Sequence, residues 1–396
     1  MINRRTFLRR SSIMAFSPLV PMFLDEMARA AEAKPDARIL VVVQLDGGND
    51  GINTVVPFGD EAYAQHRAEL QIKKDAVLKI NDQVGLHPSL RGMSQLLEQG
   101  RLSIVQGVGY PNPNRSHFES MRIWQTALLN PKDDQNGWLG NAFDQLPWPR
   151  PVAGPDAIYV GDNDLPRALI GRRTEAAAIT SADDLTLRLS QPDTHQDANA
   201  GAKQDVAAFV RRSMLSAFTT ARELKQTRAP STTSPAAYPQ TKLAQQLGTV
   251  SQLIKSGAGT RVYYTSQTGY DTHYAQLSQH EDVLRELSGA IKAFMDDLRA
   301  SGLSDRVLLL AFSEFGRRAQ ENGSLGTDHG SAGPVFLAGD RLKGGLVGEM
   351  PSMSDLINRD IKMSVDFRRI YATITKQWLG IPSSIVGFEP LEVLKV

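Results

Sequence analysis

The chain is predicted to be an α/β protein: a mostly parallel sheet sandwiched by helices. Three observations predict it. Arg38–Leu45 (RILVVVQL) is a near-continuous apolar, β-branched run, which is how a strand buried on both faces reads. Similar short runs recur at Leu102–Val108, Ala157–Val160, Arg261–Thr265, Val307–Phe312 and Val335–Ala338. Segments of helical periodicity lie between them, and strands alternating with helices imply parallel βαβ units.

The helical segments are Ser89–Gln99, His117–Leu129, Thr241–Lys255, Ala275–Arg299 and Asp366–Leu379. Ala275–Arg299 is the clearest, with Leu277, Val283, Leu284, Leu287, Ile291, Phe294 and Leu298 forming its apolar stripe. One stretch breaks the alternation. Residues 181–240 are rich in Gln, Asp, Ala, Thr and Ser, which predicts a polar insertion or cap; Arg228–Pro239 within it reads as an exposed linker.

The first 33 residues predict export. Arg4-Arg5-Thr6-Phe7-Leu8 precedes a short apolar run broken by Pro18 and Pro21, the pattern of a twin-arginine signal peptide with cleavage near Ala31 or Ala33. The run is too short to span a bilayer. Twin-arginine export carries folded proteins, often already loaded with a metal, into the periplasm or beyond. The predicted mature domain is residues 34–396, with no membrane span and with the export machinery as its first partner.

Composition excludes several chemistries. The chain has no cysteine, so disulfides, thiolate-bound zinc and thiol catalysis are out. Its net charge is +1, of which residues 1–33 contribute +2, leaving −1 on the mature part. No basic excess points to nucleic acid. A metal would be held by His, Asp, Glu, Asn or hydroxyls.

The chemistry-bearing residues gather at strand ends. Asp46, Asn49 and Asp50 follow the first strand; Asn114-Arg115-Ser116-His117 follows the second; Asp271-Thr272-His273 follows Arg261–Thr265; Glu314, with Arg317, follows Val307–Phe312. Asp328-His329-Gly330 precedes Val335–Ala338. Ligands of open parallel sheets collect at the carboxyl ends of strands, so these clusters are expected to converge. Singly, each has a plainer reading: Ser116 as a helix N-cap, Asp271 or Thr272 likewise, Asp328-His329-Gly330 as a tight turn. Capping does not require His and carboxylate to recur together. Of the other histidines, His66 and His195 read as surface residues, His280 as a solvated or capping one, and His87 is undecided.

Six segments in order resemble the exported bacterial family of domain of unknown function 1501. They are Asp46-Gly47-Gly48-Asn49-Asp50-Gly51-Ile52-Asn53-Thr54, Leu86-His87-Pro88, Arg115-Ser116-His117-Phe118, Gly269-Tyr270-Asp271-Thr272-His273, Ser313-Glu314-Phe315-Gly316-Arg317 and Gly326-Thr327-Asp328-His329-Gly330. That family looks like a remote branch of the alkaline phosphatase and sulfatase superfamily. The resemblance therefore implies an alkaline phosphatase-like fold and a divalent metal (zinc, manganese, iron or calcium).

Carried over residue by residue, the superfamily plan makes Asp46 the first-strand ligand and Ser116 the nucleophile. Asp271 and His273 become the pair before the long helix. Glu314 falls where an Asp-His-Gly is usual, and Phe315 stands where its histidine would be. His329 is then the last histidine; alternatively Asp328-His329-Gly330 is itself the Asp-His-Gly, with Asp328 a ligand. Either way the two-metal set is incomplete, so one good site or two weak ones is expected. Arg115 or Arg317 would clamp an anionic substrate, and His117 or His273 would shuttle a proton. A formylglycine sulfatase is disfavoured, because Ser116-His117-Phe118-Glu119 lacks the Ser-x-Pro-x-Arg context.

The implied activity is exported, metal-dependent hydrolysis or transfer at a phosphate, sulfate or related ester of a small molecule or polymer. A non-catalytic exported binding or assembly partner is the rival. A calcium-stabilised carbohydrate binder using Asp46, Asn49 and Asp50 is a third reading.

Overall fold

A computed structural model describes residues 37–133, 135–147, 155–180, 237–257, 259–382, 385 and 387–395. The predicted signal, residues 1–33, and nearly all of the predicted insertion lie outside them, as does His195.

The six predicted strands form as expected and take their places in a nine-stranded sheet. Those that position the site are β1 (Ile39–Asp46), β2 (Leu102–Gly109), β3 (Ala157–Val160), β4 (Ala176–Ile179), β5 (Val262–Thr268), β6 (Val307–Ser313) and β7 (Gly333–Ala338). Neighbouring strands run in the order β2-β7-β6-β1-β5-β3-β4. β1 is central and pairs in parallel with β5 (Leu40 opposite Val262) and β6 (Ile39 opposite Val307). β7 departs from the parallel pattern, running antiparallel to both β2 and β6. That reversal has a consequence: the residues before β7 arrive at the same edge as the residues after the parallel strands.

Alternation along β1 builds the two apolar layers. Val41, Val43 and Leu45 face one side, where they meet α1 (Arg91–Glu98), α3 (Lys242–Lys255) and α4 (Gln276–Ala300). Leu40 and Val42 face the other, with α2 (His117–Thr126), Trp138–Phe143 and α5 (Phe367–Ala372). Both faces are covered, which explains why β1 carries no polar alternation. At about 1.5–3 kcal/mol for each fully buried aliphatic side chain, these layers supply most of the gross stabilisation.

Two departures mark the limits of periodicity. The last predicted helix, Asp366–Leu379, is α-helical only over Phe367–Ala372 and continues as a π-helix over Thr373–Trp378. A small three-stranded sheet, Val55–Val56, Gly85–Leu86 and Leu78–Lys79, was not foreseen, since two-residue strands carry no readable alternation. No helix among the described residues is long and apolar enough to cross a membrane.

Candidate functional site

Side chains from four strand-end segments meet at the carboxyl edge of the sheet. His117 begins α2, which is anchored by Trp124. That indole stacks on Phe312 of β6 (5.0 Å) and Phe367 (4.4 Å). Ser120 Oγ, one turn on, donates to the Glu314 carbonyl at 2.6 Å. Asp271 and His273 stand between β5 and α4, and His329 ends the hairpin Arg317–Glu321/Thr327–His329.

Asp271 Oδ1 is the hub. It lies 3.1 Å from His273 Nε2, 3.2 Å from His329 Nε2 and 3.5 Å from His117 Nε2. Ligand atoms of His117, Asp271 and His329 all fall within 4.8 Å of one another. Nitrogen and oxygen ligands about 2.0–2.1 Å from a tetrahedral zinc are themselves roughly 3.3 Å apart, so these spacings suit one cation.

Hydrogen bonds behind the cluster set its tautomers. His329 Nδ1 donates to the Arg115 carbonyl at 2.7 Å, which leaves Nε2 with a lone pair toward Asp271. His117 Nδ1 donates to Glu314 Oε1 at 2.7 Å, and its buried Nε2 has no hydrogen-bond partner. An orphaned nitrogen aimed at a carboxylate and a second imidazole has the disposition of a metal ligand. His273 Nε2 sits 2.8 Å from His329 Nε2, so the two share one proton or face one cation. The residues fit a metal.

The Glu314 hydrogen bond holds the His117 imidazole above its ordinary pKa, against the burial that lowers it. Burial pushes His329 down. Burial also raises the Asp271 carboxyl, but its hydrogen bond and charge pairing with Arg317 outweigh that and keep it below the usual range.

The other predicted residues are placed differently. Glu314 is not within the ligand group: it is buried, accepting from His117, from Gly47 N (3.0 Å) and from Ser313 Oγ (2.8 Å). It orients a ligand. Asp46 also stands outside the group, its Oδ1 held by Gln44 Nε2 at 2.6 Å; burial, with Glu314 adding to it, pushes its carboxyl up to about 6. Asp328 is exposed and backs His273, 3.5 Å from its Nδ1. His117, expected as a proton shuttle, lies within the group that could hold an ion.

Arg317 is a correction. Its guanidinium is buried and donates to the carbonyls of Gly48 (2.7 Å), Thr327 (2.7 Å), Tyr270 (3.0 Å) and Gly47, and to Asp271 at 2.6 Å. It ties three loops together and is out of a substrate's reach. Arg115 is half-exposed but ion-paired to Asp360. Ser116 is exposed and stands at the N-cap of α2, as its plainer reading has it, although its side chain makes no capping bond; Asn114 Oδ1 accepts its backbone N–H at 2.8 Å.

Phe315 takes the wall of the site. Its buried ring lies 5.0 Å from the His117 ring and 4.9 Å from His329. Gly48, at φ +76°, makes room for it: a Cβ there would overlap the phenyl ring. At Gly47, φ +123°, a Cβ would run into the Asp271 backbone. Here glycine is required both by conformation and by close approach.

Beneath the site is a buried polar network that sequence reasoning missed. Asp50 and Arg67, both fully buried, form a bidentate pair (2.6 and 3.0 Å), and Gln276 also donates to Asp50. His280 is not solvated: it is buried and donates from Nε2 to Asn49 Oδ1 at 3.0 Å. Asn49 and Asp50 are thus committed internally, which removes the calcium reading of that motif. His87 is buried too, its Nδ1 accepting from Ser89 N at 3.1 Å, whereas His66 is half-buried against the Met353 carbonyl. Asn322 was also missed: it donates to the His273 carbonyl at 2.9 Å, and its Asn-Gly turn was the readable signal.

A mixed α/β sheet with an Asp- and His-rich cluster at its carboxyl edge defines the class: a candidate metalloprotein of doubly covered α/β type. Residues 37–383 match the family described as "Protein of unknown function (DUF1501)", and the chain belongs to that family. No curated protein sequence is significantly similar.

Solved structures similar to this chain include the following three. One is the C-terminal periplasmic domain of EcEptC from Escherichia coli in complex with Zn (10% identity, 78% of this chain and 75% of that chain, TM-score 0.38). Another is the PsFucS1 sulfatase from Pseudoalteromonas sp. (10%, 93% and 74%, TM-score 0.40). A third is a protein in the alkaline phosphatase superfamily from Vibrio parahaemolyticus (9%, 81% and 64%, TM-score 0.34).

Proposed function

We propose that this chain is an exported hydrolase or transferase acting on a phosphate, sulfate or related ester with one divalent cation. The observation that carries the reading is Asp271 Oδ1 within 3.5 Å of three imidazole Nε2 atoms from three separate loops. His117, Asp271 and His329 hold the ion, with His273 beside them. A nitrogen-rich donor set suits zinc or iron better than manganese or calcium, which prefer oxygen. When bound, the cation supplies positive charge that lowers the pKa of a nearby hydroxyl and offsets charge on the ester.

The chain's own residues do the rest. Ser116 Oγ is the nucleophile: it attacks phosphorus or sulfur as the ester oxygen leaves, and water or an acceptor hydroxyl then releases the group. The first amides of α2 favour the anionic centre. Glu314 fixes His117, Arg317 fixes Asp271, and Phe315 keeps water from one side. The twin-arginine pattern supports a location in the periplasm or outside the cell, with residues 34–396 as the mature domain and a polar insertion near 181–240.

A second reading has specific support. Phe315 stands where the superfamily plan wants a ligand, and Arg317 is consumed by backbone carbonyls, which favours a non-catalytic exported partner that keeps one structural metal. Metal analysis and an ester panel separate the two. The enzyme reading expects near-stoichiometric metal, lost in Asp271→Ala and His329→Ala, and turnover of an aryl phosphate, phosphodiester or sulfate ester that Ser116→Ala abolishes without losing metal. Metal without turnover above the Ser116→Ala background leaves the partner reading.

A further inference from the structure

Exposed apolar side chains recur in the segments that carry the candidate metal cluster. Among the described residues seven large apolar side chains are exposed, and four of them belong to this rim: Phe118, Tyr274, Leu277 and Leu325. Scattered single exposures call for no explanation. Four in the segments that carry one site are not scatter: Tyr274 and Leu325 lie on its loops, Phe118 and Leu277 in the first turns of α2 and α4. Phe118 follows His117 and is 70% exposed; Tyr274 follows His273 and is 65% exposed; Leu325, 52% exposed, lies three residues before Asp328.

The backbone holds two of these loops together in conformations that L-residues rarely adopt. Ala275 has φ +45° and Leu325 φ +56°. Ala275 N donates to Ser324 O (3.2 Å) and Gln276 N to Leu325 O (2.9 Å). Gly326 packs so closely on His273 that a Cβ would overlap its carbonyl. Tyr274 and Leu325 therefore ride on one stapled pair of loops beside His273. Free cationic groups at the same mouth are few: Arg317 is buried, Arg115 is paired with Asp360, and Arg122, 5.5 Å over the Phe118 ring, is paired with Glu119 and Asp133.

Building on the ester reading above, we infer that Phe118, Tyr274, Leu277 and Leu325 receive the organic group of the ester, and that this group is apolar, an alkyl chain or an aryl ring. The charged phosphate or sulfate end addresses the Asp271 cluster, and the hydrocarbon end lies on the rim. A sugar ester, with hydroxyls to satisfy, finds apolar surface there.

The test uses inert analogues and reads binding. Methyl-, butyl-, octyl- and phenylphosphonate, and the matching sulfonates, are titrated into the zinc- or manganese-loaded mature protein by calorimetry. Octyl and phenyl compounds are expected to bind at least about tenfold tighter than methyl. In Phe118→Ser/Leu325→Ser the gap should shrink to about threefold or less, with methyl affinity, metal content and thermal midpoint unchanged. Methyl and octyl compounds binding equally well, both dependent on metal, overturn the apolar rim and leave the ester reading standing. No binding by any compound overturns the ester reading, and the rim proposal with it.

Discussion

His117 Nδ1 donates to Glu314 Oε1 at 2.7 Å, and this one bond decides that Nε2 is the nitrogen facing Asp271. Glu314 can do this because it is itself fixed: it accepts Gly47 N and Ser313 Oγ and has almost no exposure. A carboxylate behind an imidazole fixes its tautomer and raises its basicity as a ligand.

Glu314→Gln therefore should weaken metal binding about 10- to 100-fold while leaving the fold intact. A competition titration against a chromogenic chelator reads the change. Unaltered affinity would show that Glu314 does not act through His117.

Gly48→Ala tests the role of Phe315. The substitution forces φ away from +76° or displaces the phenyl ring from between the loop and the two imidazoles. Stability is expected to fall by about 1–3 kcal/mol, and metal affinity should fall with it because His117 and His329 lose their wall. Chemical denaturation followed by metal titration checks both.

The Asp50–Arg67 pair makes a signed prediction. Burial raises the Asp50 carboxyl, but Arg67 outweighs it and brings it from 3.8 down to about 2. A folded pKa below the unfolded one stabilises above about pH 4, and this contribution, about 2–3 kcal/mol, is lost as the pH falls through 2. Arg67→Met strands a buried carboxylate at a cost of about 3–5 kcal/mol at neutral pH. It should also invert the acid dependence, since burial alone then lifts the Asp50 pKa. Denaturation midpoints across that range would reveal a failure to invert.

His280 acts in a higher window. Burial lowers its imidazole from 6.5 to about 3, so the folded state keeps it neutral while the unfolded chain takes up a proton. Stability is lost as the pH falls from 6.5 toward 3, by up to about 1.4 kcal/mol per unit. His280→Gln keeps a donor for Asn49 Oδ1 and removes the titration. Relative to wild type, the variant should gain stability on going from neutral pH to about 5. Parallel curves for the two proteins would show that His280 is solvated after all.

Local chemistry made the strands and most helices readable. A strand buried on both faces must be apolar throughout, so Arg38–Leu45 and Val307–Phe312 announced themselves, and α4 showed its stripe except at Leu277, which is exposed. The residue types of the site were readable for a similar reason: His and carboxylate side by side at strand ends have few structural uses. Roles were another matter. Whether Glu314 ligates or orients, and whether Arg317 meets a substrate or backbone carbonyls, depends on side-chain direction at a rim formed by remote segments.

By itself the amino-acid order determined the layered α/β architecture, the absence of thiol chemistry and the identity of the loops that matter, because these follow from local hydrophobic pattern and composition. Only the tertiary structure decided that β7 runs backwards, bringing His329 to the rim from the opposite direction. It alone decided that Asp50 and His280 are spent in the interior and that Asp271 is the hub. Those facts rest on contacts between residues up to hundreds of positions apart, where burial and hydrogen-bond geometry, not neighbouring sequence, set what each side chain can do.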